Sequence, residues 1–216
     1  MMEIMNNPGK LFVPDQSFDS YRESENLLRY ITRTRANDPK KGDLIAWSGR
    51  GVRVGNGIER VIKEFECVQR LYVPKGTEYG RHCFHEFYCI HREYVELLGE
   101  QMESVLCALA EACMTIYWNE DFQVVSAIHK PHKNTLFAHI HFAVNAICFA
   151  DGTKWHSNGE DRRFREYQMN QFALDLCPLW EEVYGSSKVD RYRAFSNAVS
   201  LGNTLLAGLS SFLCKF

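Results

Sequence analysis

Residues 138–145 read AHIHFAVN, two histidines one residue apart inside an apolar run. Strand side chains repeat every second residue, so His139 and His141 leave one sheet face, about 7 Å apart at the backbone, with Ala143 and Asn145 continuing the row. Upstream, VVSAIH at 124–129 reads as a second strand. If the two strands pair, His129 at the end of the first supplies a third imidazole. A chain built around that pairing is a sheet protein at its centre, whatever surrounds it.

The surroundings are helical. Ser20 and Glu23 have capping-box spacing, and Tyr21, Leu27, Leu28 and Ile31 recur at helical intervals, which predicts a helix over about 20–35 that stops at the turn-forming NDPKKGD. A glycine-rich connection, SGRGVRVGNG, then leads to the apolar stripe Ile58, Val61, Ile62, Phe65, Val68 and Leu71 of a second helix. RHCFHEFYCI at 81–90 reads as a strand, and the Glu-, Leu- and Ala-rich stretch from Arg92 to Met114 as one long helix. Strands over about 122–129 and 136–149 form a hairpin, followed by a helix over 160–176 and another from about 188. The fold class is α+β, a central antiparallel sheet with helices packed on it. At 216 residues and 45% hydrophobic, the chain is expected to be a single domain, with a core of about 20–176 and a C-terminal helical tail of about 188–216.

The formal charge of −2 gives no global attraction to nucleic acid, so such binding needs a local basic surface. The segment from Arg29 to Lys63 offers one: Arg29, Arg33, Arg35, Lys40, Lys41, Arg50 and Arg53, with Lys130, Lys133 and Lys154 further on. Trp47, Tyr72 and Trp155 are possible base-stacking platforms among them. Eight scattered cysteines without a CxxC pair read as buried free thiols in a reducing compartment. No stretch reaches the roughly 18 apolar residues of a membrane span, so no membrane insertion is expected.

Two imidazoles side by side without a partner lose hydration and gain nothing, whereas a shared divalent ion satisfies both lone pairs. His129, with His132 as its competitor, completes a three-nitrogen set suited to zinc, manganese, nickel or copper in the abstract. Asn145, on the same row, is placed to orient a ligand.

The run VVSAIHKPHKNTLFAHIHFAVNAICFADGTKWH, 124–156, resembles the third motif of the relaxases, the mobilisation nucleases of the HUH endonuclease superfamily. NLLRYITRTRAND, 26–38, is similar to their upstream tyrosine motif, with Tyr30 at the nucleophile position, and HEFYCIHREYVELL, 85–98, to the strand and helix that precede the histidines. Lys130 and Pro131 stand where the family commonly has an acidic residue. The resemblance implies a cytoplasmic, bacterial enzyme of relaxase-like fold that nicks single-stranded DNA at the transfer origin of a plasmid or mobile element. It implies Mg²⁺ or Mn²⁺ on His129, His139 and His141, with Zn²⁺ or Ni²⁺ as substitutes in vitro. Tyr30 would attack to leave a 5′-phosphotyrosine and a free 3′-hydroxyl, and strand transfer would follow.

Arg29 and Arg33 are placed to favour the phenolate, and Glu86 to accept a proton or hold a histidine. A hairpin-containing origin, accessory relaxosome proteins and a coupling protein are the implied partners. Two alternatives stay open: a rolling-circle replication initiator using Tyr167, and a DNA-binding protein with a vestigial site. Tyr21 is a further rival nucleophile.

Overall fold

The computed structural model describes residues 7–73, 80–131 and 137–184. His132, Lys133 and the helical tail expected from 188 lie outside these residues. Five strands form one sheet: β1 Gly9–Phe12, β2 Leu44–Arg50, β3 Cys83–Ile90, β4 Phe122–His129 and β5 Ala138–Cys148. Their order is β1-β3-β5-β4-β2, and every neighbouring pair is antiparallel. The hairpin expected from sequence is the β4–β5 pair, with His129 opposite His139.

The helices are α1 Tyr21–Ile31, α2 Ile58–Leu71, α3 Arg92–Leu98, α4 Met102–Trp118, α5 Gly159–Leu176 and α6 Leu179–Tyr184. They divide between the two faces. Leu27, Leu28 and Ile31 of α1 and Ile58, Val61 and Phe65 of α2 bury against Val125, Ala127 and Ala143 on one face. Leu106, Leu109 and Met114 of α4, Met169 and Ala173 of α5 and Trp180 of α6 bury against Val124, Ile128, Ile140 and Phe142 on the other. A fully buried Leu, Ile or Phe contributes roughly 1.5–3 kcal/mol of transfer free energy, so both layers hold the sheet. Covered twice, β4 is buried along its whole length.

The α1 cap forms as its sequence predicts, with the Ser20 hydroxyl accepting from the Glu23 amide at 3.2 Å. The long helix expected from Arg92 to Met114 is two helices. Gly99 adopts φ +53°, a left-handed conformation that ends α3, and a single 3-10 turn resets the axis before α4. Two strands escaped the sequence reading. The first half of β2 falls in a stretch to which the sequence assigns no element and its second half in the glycine-rich connection, and β1 is only four residues long. A Cβ on Gly9 would stand 2.5 Å from the Cys89 carbonyl oxygen, so only glycine lets β1 lie this close to β3. The outward amides of Gly9 and Leu11 donate to Asn170 and Glu166 of α5, which seals the sheet edge.

Candidate active site

Antiparallel pairing sets the site. His139 and His141 lie opposite Cys89 and Phe87 of β3, and His139 lies opposite His129 of β4. Paired residues share a face, so His129, His139, His141, Phe87 and Cys89 emerge together, and His85 joins them by strand period. The His129 and His141 ring centroids are 4.4 Å apart, and His139 and His141 are 6.0 Å apart. His85 stacks on His141 at 5.2 Å, its Nε2 lying 2.9 Å from His141 Nδ1. Tyr30, one residue from the end of α1, sets its ring edge-on to His141 at 6.1 Å and to His85 at 6.4 Å.

Three of the imidazoles are shifted toward the neutral form. Burial, reinforced by the neighbouring His129, pushes His85 down to about 4. Burial, then Arg33, pushes His129 down to about 4, against an opposing pull from the Ile31 carbonyl. His141 is pushed well below the ordinary histidine value, by burial and then by His129 and His85. Neutral imidazoles are lone-pair donors, so the set has the chemistry of a divalent-ion site.

Its arrangement is incomplete. His129 accepts a hydrogen bond from Arg33 Nη2 at Nδ1, 3.1 Å, and donates from Nε2 to the Ile31 carbonyl, 2.7 Å. Both of its nitrogens are therefore engaged. Among the described residues, no three His, Cys, Asp or Glu side chains are already disposed around one point. The residues fit an ion in kind, and Arg33 must withdraw for His129 to offer Nδ1.

Arg33 sits at φ +53° just past α1, where a non-glycine residue is strained, and its side chain folds back to only 4% exposure. Its guanidinium lies 5.0 Å from the Tyr30 ring centroid, and that of Arg35 lies 5.3 Å away. Arg33 was expected on a DNA-binding surface. It is instead buried between the phenol and a histidine. Arg29, expected to favour the phenolate, is turned to Glu25 and Glu59.

Other expectations are corrected. Glu86 leaves the opposite face of β3, where its carboxylate takes Arg165 at 2.5 Å and the Tyr117 hydroxyl at 2.7 Å, so it reaches neither Tyr30 nor the histidines. Asn145 is on the histidine face, but its amide is consumed by Phe65, Gln123 and Gln69, which tie α2 and β4 to β5. Arg50, Arg53 and Lys130 pair with Glu111, Glu64 and Glu103. Arg35, Lys40 and Lys41 form the exposed basic loop after α1. Lys154 borders the sheet through a bridge to Ile147.

Of the stacking candidates, Trp155 is buried, Tyr72 donates to the Phe149 carbonyl, and Trp47 packs into the α1–α2 core. Tyr21 turns to His82 and Arg70. Tyr167 lies on α5, whose buried residues pack on the opposite face. The sequence reading assigned no role to His85. Its signal was the alternation of His85, Phe87 and Cys89, which becomes informative only once β3 is known to lie beside β5.

An α+β domain that gathers imidazoles, a phenol and two guanidiniums on one sheet face has the groups to act on a phosphodiester. Residues 30–173 match the family model of the relaxases, MobA/VirD2-like, nuclease domain, and the chain belongs to this family. It is by that membership a DNA-binding enzyme of the DNA-nicking class. Comparison with curated proteins and with solved structures gives no match. No helix of the described residues is long and apolar enough to cross a membrane.

Proposed function

We propose that this protein nicks one strand of DNA at the transfer origin of a plasmid or other mobile element, with Tyr30 as the nucleophile. The observation that carries the reading is the Tyr30 ring, facing His141 and His85 at 6.1 and 6.4 Å beneath two guanidiniums. The phenol oxygen bonds to phosphorus and loses its proton. The bond from phosphorus to the 3′ oxygen breaks, and that oxygen takes up a proton to become a free hydroxyl.

With Glu86 on the far face, the proton leaves to water at the half-exposed Tyr30. Arg33 and Arg35 stabilise the phenolate and the phosphate charge, which is the larger electrostatic contribution from the chain itself. His129, His139 and His141 would hold Mg²⁺ or Mn²⁺, which supplies Lewis-acid polarisation of the phosphate when bound. Arg35, Lys40 and Lys41 engage the DNA backbone beside the phenol.

Tyr167 has no comparable setting, since its helix packs on the other face of the sheet. The test is a covalent adduct between protein and a hairpin-bearing oligonucleotide in Mn²⁺, read by mass spectrometry after denaturation. The adduct is expected from the wild type and from Tyr167→Phe, and not from Tyr30→Phe. An adduct that survives in Tyr30→Phe overturns the assignment.

A further inference from the structure

Helices α1 and α2 lie over β5 and β4, and the described residues leave the β1–β3 half of the histidine face partly open. Two rows of side chains cross that half. In one, Phe12 of β1 lies opposite Phe87 of β3, which lies opposite His141. In the other, Lys10 lies opposite Cys89, which lies opposite His139. The Phe12 and Phe87 rings stack at 5.4 Å with 13° between their planes, and Phe87 continues to His141 at 5.5 Å. Phe12 is 40% exposed, and the Lys10 ammonium stands 5.5 Å from its ring centroid.

A single exposed phenyl ring is ordinary on a protein surface. This one differs in three respects. It is backed by a second ring, a lysine ammonium lies over it, and its row runs unbroken to a histidine of the candidate active site, two strand spacings or about 10 Å away. Lys10 is exposed on a flexible stem, so its ammonium can swing from the ring to a phosphate as a base takes its place, which matches the base and the phosphate of one unpaired nucleotide.

We infer that Phe12 and Phe87 form a stacking shelf for an unpaired base of the DNA strand next to the reacting phosphate, with Lys10 on that nucleotide's backbone. This rests on the nicking reading for the identity of the strand and on separate residues for the contact. Single-stranded DNA fits better than a duplex, whose bases are stacked on one another and offer no free face. The shelf also explains why the tryptophans and Tyr72 are not needed as platforms. The base contact of this site lies on the edge strand, away from the basic segment that follows Tyr30.

The probe is an oligothymidylate of about 16 nucleotides, the upper end of a single-strand site, with 5-iodouracil in place of some thymines. Irradiation of the full chain bound to it should cross-link the peptide that contains Phe12. Phe12→Ala should weaken binding about tenfold, within the range measured for base–aromatic stacking, while Phe12→Trp binds as the wild type and shows that β1 still folds. Lys10→Ala should lower the slope of log affinity against log salt by about 0.7, one phosphate contact on a single strand. Phe164→Ala, removing an equally exposed ring on α5, should change nothing. Unchanged affinity in Phe12→Ala, or a cross-link confined to other peptides, overturns the shelf. Adduct formation through Tyr30 is scored separately. An adduct with unaltered Phe12→Ala binding removes the shelf alone, binding that depends on Phe12 without any adduct removes the nicking reading alone, and a wild type that binds no oligonucleotide removes both.

Discussion

Arg33 is the residue at which local rule and function conflict. A left-handed backbone costs an L-residue roughly 1–2 kcal/mol, and glycine is the usual occupant of the position after a helix. Arginine at φ +53° is kept there because its guanidinium reaches both Tyr30 and the His129 lone pair. Arg33→Gly therefore relieves strain but loses the hydrogen bond to His129 and takes the ion-pair partner from the Asp38 side chain, which is 8% exposed, a cost of about 3–5 kcal/mol that outweighs the strain relief, so the variant should be less stable than the wild type. Function should separate more sharply. With the cation gone and Nδ1 released, Mn²⁺ affinity measured calorimetrically should rise at least about fivefold, the scale of one partly screened charge. Single-turnover nicking at saturating Mn²⁺ should fall at least about tenfold, because phenolate and phosphate lose their guanidinium. Equal metal affinity in the two proteins would show that Arg33 does not guard His129. None of this was legible in the chain, where Arg33 is one of several arginines after a helix. The HIH pair was legible, because period two alone assigns both rings to one face.

At the scale of elements, Glu86 shows how one register step changes a role. Its neighbours His85 and Phe87 face the histidines, and Glu86 faces away to join Arg165 in an ion pair whose side chains are 1% and 5% exposed. Tyr117 of α4 donates to the same carboxylate, so a single buried anion ties β3 to α4 and α5. Removing one partner of such a pair strands the other charge, a cost of about 3–5 kcal/mol. Glu86→Gln should lower the melting temperature substantially and, below its melting transition, form the Tyr30 adduct at a wild-type rate. A large rate loss in protein shown to be folded would return Glu86 to the chemistry. The elements legible in sequence were those with a long period: α1, α2, α5 and the β4–β5 hairpin. β1 was too short to show a pattern, β2 carries Ser48 and Gly49 that read as loop, and Gly99 breaks a helix whose apolar stripe runs on across the break. Strand order was not legible at all, because the pairing of β3 with β5 joins segments about fifty residues apart and is decided by which helices cover which face.

One helical layer covers part of the histidine face, and the burial of His85, His129 and His141 beneath it couples the site to global stability. In the unfolded chain a histidine takes up its proton near pH 6.5, whereas His85 and His129 do so only near 4 in the folded protein and His141 is likewise shifted down. Between those limits the unfolded state binds more protons, so stability rises with pH through the window and is lost as pH falls. Above about pH 6.5 both states are neutral at these positions and the effect disappears. At pH 5, each ring held near 4 costs about 1–2 kcal/mol, a sizeable share of the roughly 5–15 kcal/mol that holds a domain folded. Urea titrations in a chelator should therefore give nearly constant unfolding free energy from about pH 7 to 8 and a fall of several kcal/mol by pH 5. His85→Gln, which keeps a polar group beside His141 but cannot ionise, should lose about one ring's share of that fall. Mn²⁺ opposes the same protonation if it binds these nitrogens, so saturating Mn²⁺ should shift the onset of the fall to lower pH. An acid fall that is the same in wild type and His85→Gln, and unmoved by Mn²⁺, would mean that the destabilising protons go elsewhere and that the histidine face is open to water in solution.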